Sequence, residues 1–171
     1  ILGHRSAIRS IERHPLFAAW RADPLTLAAL EATLEQYEDR QRLQFTVPIF
    51  QLLSTSVENL RHRAERLAPQ IAQATDVVHA EAVPTECQIG NVAGRSFSLP
   101  SFGIALASSD IDALDTRLRS ASRPIVGRRE GDRLLLDLRG VFPRDDRWLA
   151  ACVGEETAAI FEESAQAVGG A

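Results

Sequence analysis

The residues here that invite chemistry are arginines. All 19 basic residues other than the four histidines are arginine, and the chain contains no lysine. A guanidinium carries a planar fork of N–H groups that pairs with carboxylate or phosphate oxygens two at a time. A Schiff base to a carbonyl cofactor needs a lysine amine instead. The sequence can therefore hold anions, but it supplies no side-chain amine for an imine. Arg21, beside Trp20 and ahead of a helix start, is a cation at an apolar corner. Such a residue suits an anionic ligand, and it suits a surface ion pair equally well. His14, His62 and His79 show no mutual spacing that demands a metal, and Cys87 and Cys152 form neither a CxxC nor a zinc pattern. No catalytic residue and no metal ligand is expected from these types.

These side chains must be positioned by helices and strands that the sequence announces. His14-Pro15-Leu16 is a stiff corner. Asp23-Pro24 reads as an N-cap followed by proline in the first turn, and Leu27, Leu30, Leu34 and Tyr37 then draw an apolar stripe along a helix. Ala7, Ile8 and Ile11 mark a shorter amphipathic helix within His4 to Arg13. Thr55 and Glu58 form a capping-box signature ahead of Val57, Leu60, Ala64, Leu67 and Ile71, which predicts a helix over Ser56 to Gln73. Its opposite face, Arg61, Arg63, Glu65 and Arg66, is expected to be solvated, and a face that contacts tRNA or a partner is the alternative.

After Thr75 the texture changes. Asp76 to Val83 alternates as a strand, Pro84 to Pro100 reads as irregular, and Ser101 to Ala107 reads as a second strand. Ser109 with Asp112 is expected to cap a helix bearing Ile111, Leu114 and Leu118. Pro124 to Val126 and Arg133 to Leu138 flank Glu130-Gly131-Asp132, a hairpin turn. Pro143 to Val153 is a further helix with Asp145 and Asp146 near its positive end, and Glu155 to Val168 prolongs it or forms a tail. Helices, two strands, helix, hairpin, helix is the order of an α+β layer: a small, mostly antiparallel sheet with helices on one face.

Composition sets the bounds. The chain has 171 residues, 45% hydrophobic and 25% charged, enough for one domain with a real core. A net charge of −4 argues against a non-specific nucleic-acid binder. No apolar run approaches a membrane span and no signal peptide is visible, so a cytoplasmic protein is expected. The chain has no methionine and is expected to be a piece of a longer polypeptide.

Three stretches together carry a resemblance. HPLFAAWRADPLTLAALEATLEQY spans His14 to Tyr37. ECQIG, a loop and LPS run from Glu86 to Ser101. RPIVGRREGDRLLLDLRGV spans Arg123 to Val141. In order and interval they resemble the C-terminal part of bacterial selenocysteine synthase, L-seryl-tRNA(Sec) selenium transferase. The resemblance implies the small C-terminal domain of a type I, aspartate-aminotransferase-like fold whose full-length form uses pyridoxal 5'-phosphate. It implies conversion of seryl-tRNA(Sec) to selenocysteinyl-tRNA(Sec) with selenophosphate as donor, and a homo-oligomeric parent. Residues 1–46 would be the end of the large domain with its connecting helix, 47–153 the small domain, and 154–171 a tail helix. The cofactor lysine would lie upstream, so no residue of this chain is expected to bind the cofactor and the chain alone is expected to be inactive.

By the same resemblance the corner before the long helix carries two anion-holding arginines in an R-A-L-R pattern. Here it reads Ala18-Ala19-Trp20-Arg21, so Arg21 keeps the second and Ala18 replaces the first. Pro24 stands where the family has lysine. The family's G-x-G-S-L-P loop reads Gly90-Asn91-Val92-Ala93-Gly94-Arg95, in which Arg95 is a substitute cation. Arg139 and Arg128 are further candidates, because type I enzymes often hold a substrate carboxylate or phosphate with a small-domain arginine. A salt bridge from Arg139 to Asp137 or another acidic residue is the alternative. The altered positions also leave open a related pyridoxal-phosphate enzyme acting on a free amino acid or amino sugar, and the missing lysine leaves open a folded, non-catalytic assembly module.

Overall fold

The computed structural model describes residues 3–74, 79–92 and 95–155. The chain divides into two units, Ile1–Phe50 and Gln51–Ala171. The first is helical: α1 (Arg5–Glu12), α2 (Phe17–Trp20), α3 (Pro24–Glu35), α4 (Leu43–Thr46) and the start of α5 (Pro48–Leu53). Asp23 caps α3 as its type predicts. Its Oδ1 accepts from the Leu25 and Thr26 amides at 2.9 and 3.0 Å, and its Oδ2 from the Thr26 hydroxyl at 2.7 Å. The Thr26 hydroxyl bond, then the Thr26 and Leu25 amides, hold the Asp23 carboxyl below the usual carboxylate range. Neither α1, α2 nor α3 contains a buried residue.

The second unit contains α6 (Val57–Ala74), β1 (His79–Val92), β2 (Arg95–Ala107), α7 (Ile111–Ser120), β3 (Arg128–Glu130) and β4 (Arg133–Asp137). A single 3-10 turn at Leu138–Gly140 and another at Pro143–Asp145 lead into α8 over 146–155. The four strands form one antiparallel sheet in the order β1-β2-β4-β3. Ile104 and Leu106 of β2 and Leu134 and Leu136 of β4 pack in one cluster with Leu60, Leu67 and Ile71 of α6, Leu114 and Leu118 of α7, and Leu149 and Val153 of α8. Each such buried side chain contributes about 1.5–3 kcal/mol. The α+β expectation with an antiparallel sheet and helices holds.

Several details differ from the sequence reading. Pro84 to Pro100 is not irregular: it belongs to a long β1–β2 ribbon with Pro84 opposite Phe102 and Glu86 opposite Pro100. β1 is an edge strand, where a missing N–H costs little. The Pro100 carbonyl is taken by a side chain, that of Arg139, at 2.6 Å. A residue in an antiparallel strand projects its N–H and C=O to the same side, so the absent Pro100 N–H removes no bond to β1. The glycine-containing stretch is the tip of this ribbon. There Gly90 takes φ +88°, the register shifts between Gln88 and Asn91, and Ala93 and Gly94 lie outside the described residues.

The hairpin turn falls at Gly131-Asp132, with Gly131 at φ +60°, but its first arm is Arg128–Glu130 rather than Pro124 to Val126. Ser56, not Thr55, caps α6: its Oγ accepts from the Asn59 amide at 3.2 Å, while the Thr55 hydroxyl donates to the Gln51 carbonyl. Asp110, not Ser109, caps α7, accepting from the Ala113 amide at 2.9 Å. The expected tail helix beyond Glu155, and Thr75 to Val78, lie outside the described residues.

Candidate functional site

Cross-strand partners share a face of the sheet, and alternation along each strand fixes which. Away from the helices, β1 presents Thr85 and Cys87, β2 presents Ser101, Gly103 and Ala105, β4 presents Leu135 and Asp137, and β3 presents Arg128. The central strands place small residues here. Gly103 has no room to grow, since a Cβ would come within 2.6 Å of the Leu136 carbonyl oxygen.

A polar network occupies this face. The Ser101 hydroxyl donates to Asp137 Oδ1 at 2.5 Å, and the same oxygen accepts the Arg139 amide at 3.0 Å. Arg128 donates to the Thr85 hydroxyl at 2.9 Å, to the Glu86 carbonyl at 3.1 Å and to Glu130 Oε1 at 2.6 and 3.0 Å. Residues from both edges of the sheet are thus tied by one guanidinium, which remains about half exposed. Burial, followed by the neighbouring Asp137 carboxylate, pushes the Cys87 thiol upward, and Arg139 and Arg128 only partly offset this. Cys87 is therefore a protonated thiol at neutral pH rather than a thiolate nucleophile.

Arg139 has a different setting. It is 4% exposed. Its Nη1 donates to the carbonyls of Leu52, Leu53 and Thr55 at 3.4, 3.0 and 2.8 Å, and its Nη2 donates to that of Pro100. The charge sits at the carbonyl end of α5, where a helix favours a cation, and it ties that end to the ribbon. Its Nε is buried without a partner among the described residues. Arg128 and Arg139 therefore lie around the same thiol and carboxylate, one open and one enclosed by main chain. Arg21 belongs to the first unit, is exposed, and has no hydrogen-bonded partner among the described residues. The Arg95 side chain lies outside the described residues.

Sequence reasoning missed a second polar centre. Arg63, expected on a solvated face, is buried. It donates through Nε and Nη2 to Asp146 at 3.2 and 2.6 Å, and to the carbonyls of Leu138 and Val141. The signal was present, because Arg63 stands three residues after Leu60 and four before Leu67 and so on the inner stripe. Nearby, Arg123 stacks over Trp148 at 4.2 Å and pairs with Asp145 at 2.9 Å beside a cavity of about 330 Å³.

No group of His, Cys, Asp and Glu that could hold a metal occurs among the described residues, and none of the described helices is long and apolar enough to cross a membrane. The second unit is thus an α+β module with a partly exposed arginine fork on the polar face of its sheet. The L-seryl-tRNA selenium transferase (SelA) family model matches residues 1–142, so the chain belongs to that family. Proteins named L-seryl-tRNA(Sec) selenium transferase are among its relatives. That of Photorhabdus laumondii is 39% identical over 145 residues, covering 81% of this chain and 31% of the relative. That of Rhizobium meliloti is 39% identical over 144 residues, and that of Nitratidesulfovibrio vulgaris 39% over 142 residues, covering 31% and 30% of those relatives. The chain spans about a third of the length of these relatives.

Proposed function

We propose that this chain is the C-terminal portion of a pyridoxal-phosphate-dependent enzyme that converts seryl-tRNA(Sec) to selenocysteinyl-tRNA(Sec) with selenophosphate as donor. The observation that carries the reading is the family match over residues 1–142, which spans all three ordered motifs. In this reading residues 1–46 close the large domain, 47–153 form the small domain of a type I fold, and 154–171 are a tail. The parent is a cytoplasmic homo-oligomer.

The residues present do not fit the cofactor's covalent attachment: without lysine there is no amine to form the imine. No step through the cofactor is assigned to this chain, and the isolated chain is inactive. Its contribution is to hold anions. Arg128 is the foremost candidate, being half exposed with its fork turned to the polar sheet face. Glu130 already neutralises it, so a phosphate docks there by displacing that carboxylate. Arg139 acts as a positioning residue, fixing the end of α5 and the carboxylate of Asp137. Arg21 and Arg95 are further phosphate contacts, and with Ala18 in place of an arginine the Arg21 corner offers one fork instead of two.

The test is turnover by the full-length protein. Seryl-tRNA(Sec) and selenophosphate should give selenocysteinyl-tRNA(Sec), and free serine or an amino sugar should give nothing. Arg128→Ala should raise the KM for the donor by about tenfold or more, as expected for a lost charge-assisted bond. Turnover of a free amino acid with none of seryl-tRNA(Sec) would replace this reading with the related-enzyme alternative.

A further inference from the structure

Three arginines meet at a cavity that the polar sheet face does not include. Arg66 and Gln70, one turn apart on α6, and Arg144 and Arg147, on either side of the start of α8, line a space of about 430 Å³ with Pro143 and Asp146. Among the described residues Asp146 is its one carboxylate. It is buried and already shared between Arg63 and Arg66, each at 2.6 Å. The Arg66 side chain is nevertheless 59% exposed, and one of its nitrogens makes that pair. The Arg144 guanidinium sits over the Phe142 ring, 4.6 Å from its centroid, and has no hydrogen-bonded partner among the described residues. Arg147 is exposed and has no hydrogen-bonded partner among the described residues. Asp145, the other acid of this turn, is turned to Arg123.

Among the described residues the balance is four guanidiniums, counting Arg63 behind the wall, against one carboxylate. This occurs in a chain whose net charge is −4. Such an excess without a counter-charge is costly unless an anion answers it.

We infer that this cavity binds phosphate, and that its occupant is the phosphodiester backbone of an RNA. Three separate forks from two elements suit successive phosphates better than one, and the space is larger than a single phosphate group. Arginine forks match phosphate oxygens two at a time. The inference rests on the reading that the parent acts on a tRNA, and it adds a surface of this chain that touches the RNA.

The test uses the full-length protein and labelled seryl-tRNA, with affinity measured by anisotropy between about 50 and 200 mM salt. Arg144 and Arg147 are substituted because neither makes an ion pair among the described residues. R144Q/R147Q should weaken binding by about tenfold or more at low salt, and should flatten the slope of log K against log salt by about 1.4–1.8, two phosphates' worth. R144K/R147K should restore most of the slope. R61Q, whose guanidinium is already engaged by Glu58 and Glu65, should change neither quantity. In a second arm inorganic phosphate is titrated without RNA and its effect on Tm is read. An unchanged affinity and slope in R144Q/R147Q overturns the RNA site. If phosphate still raises the wild-type Tm but not that of the variant, the cavity takes a free phosphate instead. A wild-type protein that binds no seryl-tRNA at all would instead overturn the functional reading on which the inference stands.

Discussion

The two units of this chain spend their apolar residues in opposite ways. In the second unit Leu60, Leu67, Ile71, Leu114, Leu118, Leu134 and Leu149 are sealed around one sheet face. In the first, the stripe that defines α3 stays open: Leu27 and Leu30 are each 52% exposed and Leu34 57%, while Trp20 ahead of the helix is 85% exposed. Both stripes have helical spacing, so periodicity alone does not distinguish them. A stripe specifies a face to be covered, and only partners elsewhere in the polypeptide decide whether it is. The second unit carries its own partners. The same contrast runs through the arginines: Arg63 and Arg139 are enclosed by carboxylate and carbonyls, whereas Arg21 stands in the open.

The sharpest way to break this comparison is at the enclosed charge. Arg63→Ala leaves Asp146 buried beside Arg66 alone, and should cost about 3–5 kcal/mol in urea unfolding of the chain. A loss under 1 kcal/mol would mean that Asp146 is not desolvated. Next, Leu114→Ala in the sealed core should cost about 2–5 kcal/mol, while Leu27→Ala on the open stripe should stay within about 0.5 kcal/mol. Equal costs from the same denaturation series would erase the distinction between the units.

Smaller effects follow from titration. Burial and Asp137 raise the Cys87 pKa, so the folded state holds the thiol proton more tightly than the unfolded chain does. The associated stability is complete below the ordinary thiol range and is lost as pH rises through Cys87's own value. Alkylation of Cys87 should accordingly lag a free thiol at pH 9.0, and Asp137→Asn should reduce the lag. The smallest effect is at the cap of α3. Asp23 is held low, so its contribution is present at neutral pH and is lost as pH falls through its depressed pKa. Asp23→Ala should lower helicity at neutral pH, read by circular dichroism, and should reduce the loss of helicity on acidification.

Much of this architecture was legible because its signals are local. Asp23-Pro24 names a helix start, Glu130-Gly131-Asp132 names a tight turn, and Ile111, Leu114 and Leu118 name a buried face. The ribbon was not legible. Pro84 and Pro100 read as breakers, and only long-range pairing shows that one lies on an edge strand while the other gives its carbonyl to Arg139. Arg63 was hidden by its type, since charge outweighed the inner-stripe position that its spacing gave. The candidate site was partly legible. Arg128 and Arg139 were singled out as anion holders, but the division between an open fork and a main-chain clamp depends on Leu52, Leu53 and Thr55, more than 80 residues away in sequence. The cavity between α6 and α8 likewise joins Arg66 to Arg144 and Arg147, whose nearness no local pattern records.

The most direct measurement is a chimera. These residues replace the aligned stretch of the Photorhabdus laumondii relative, and formation of selenocysteinyl-tRNA from seryl-tRNA and selenophosphate is followed. The account predicts activity within about tenfold of that relative, a difference of about 1.4 kcal/mol in the barrier. A folded chimera that carries the cofactor's absorbance, binds seryl-tRNA and yet makes no product would contradict it.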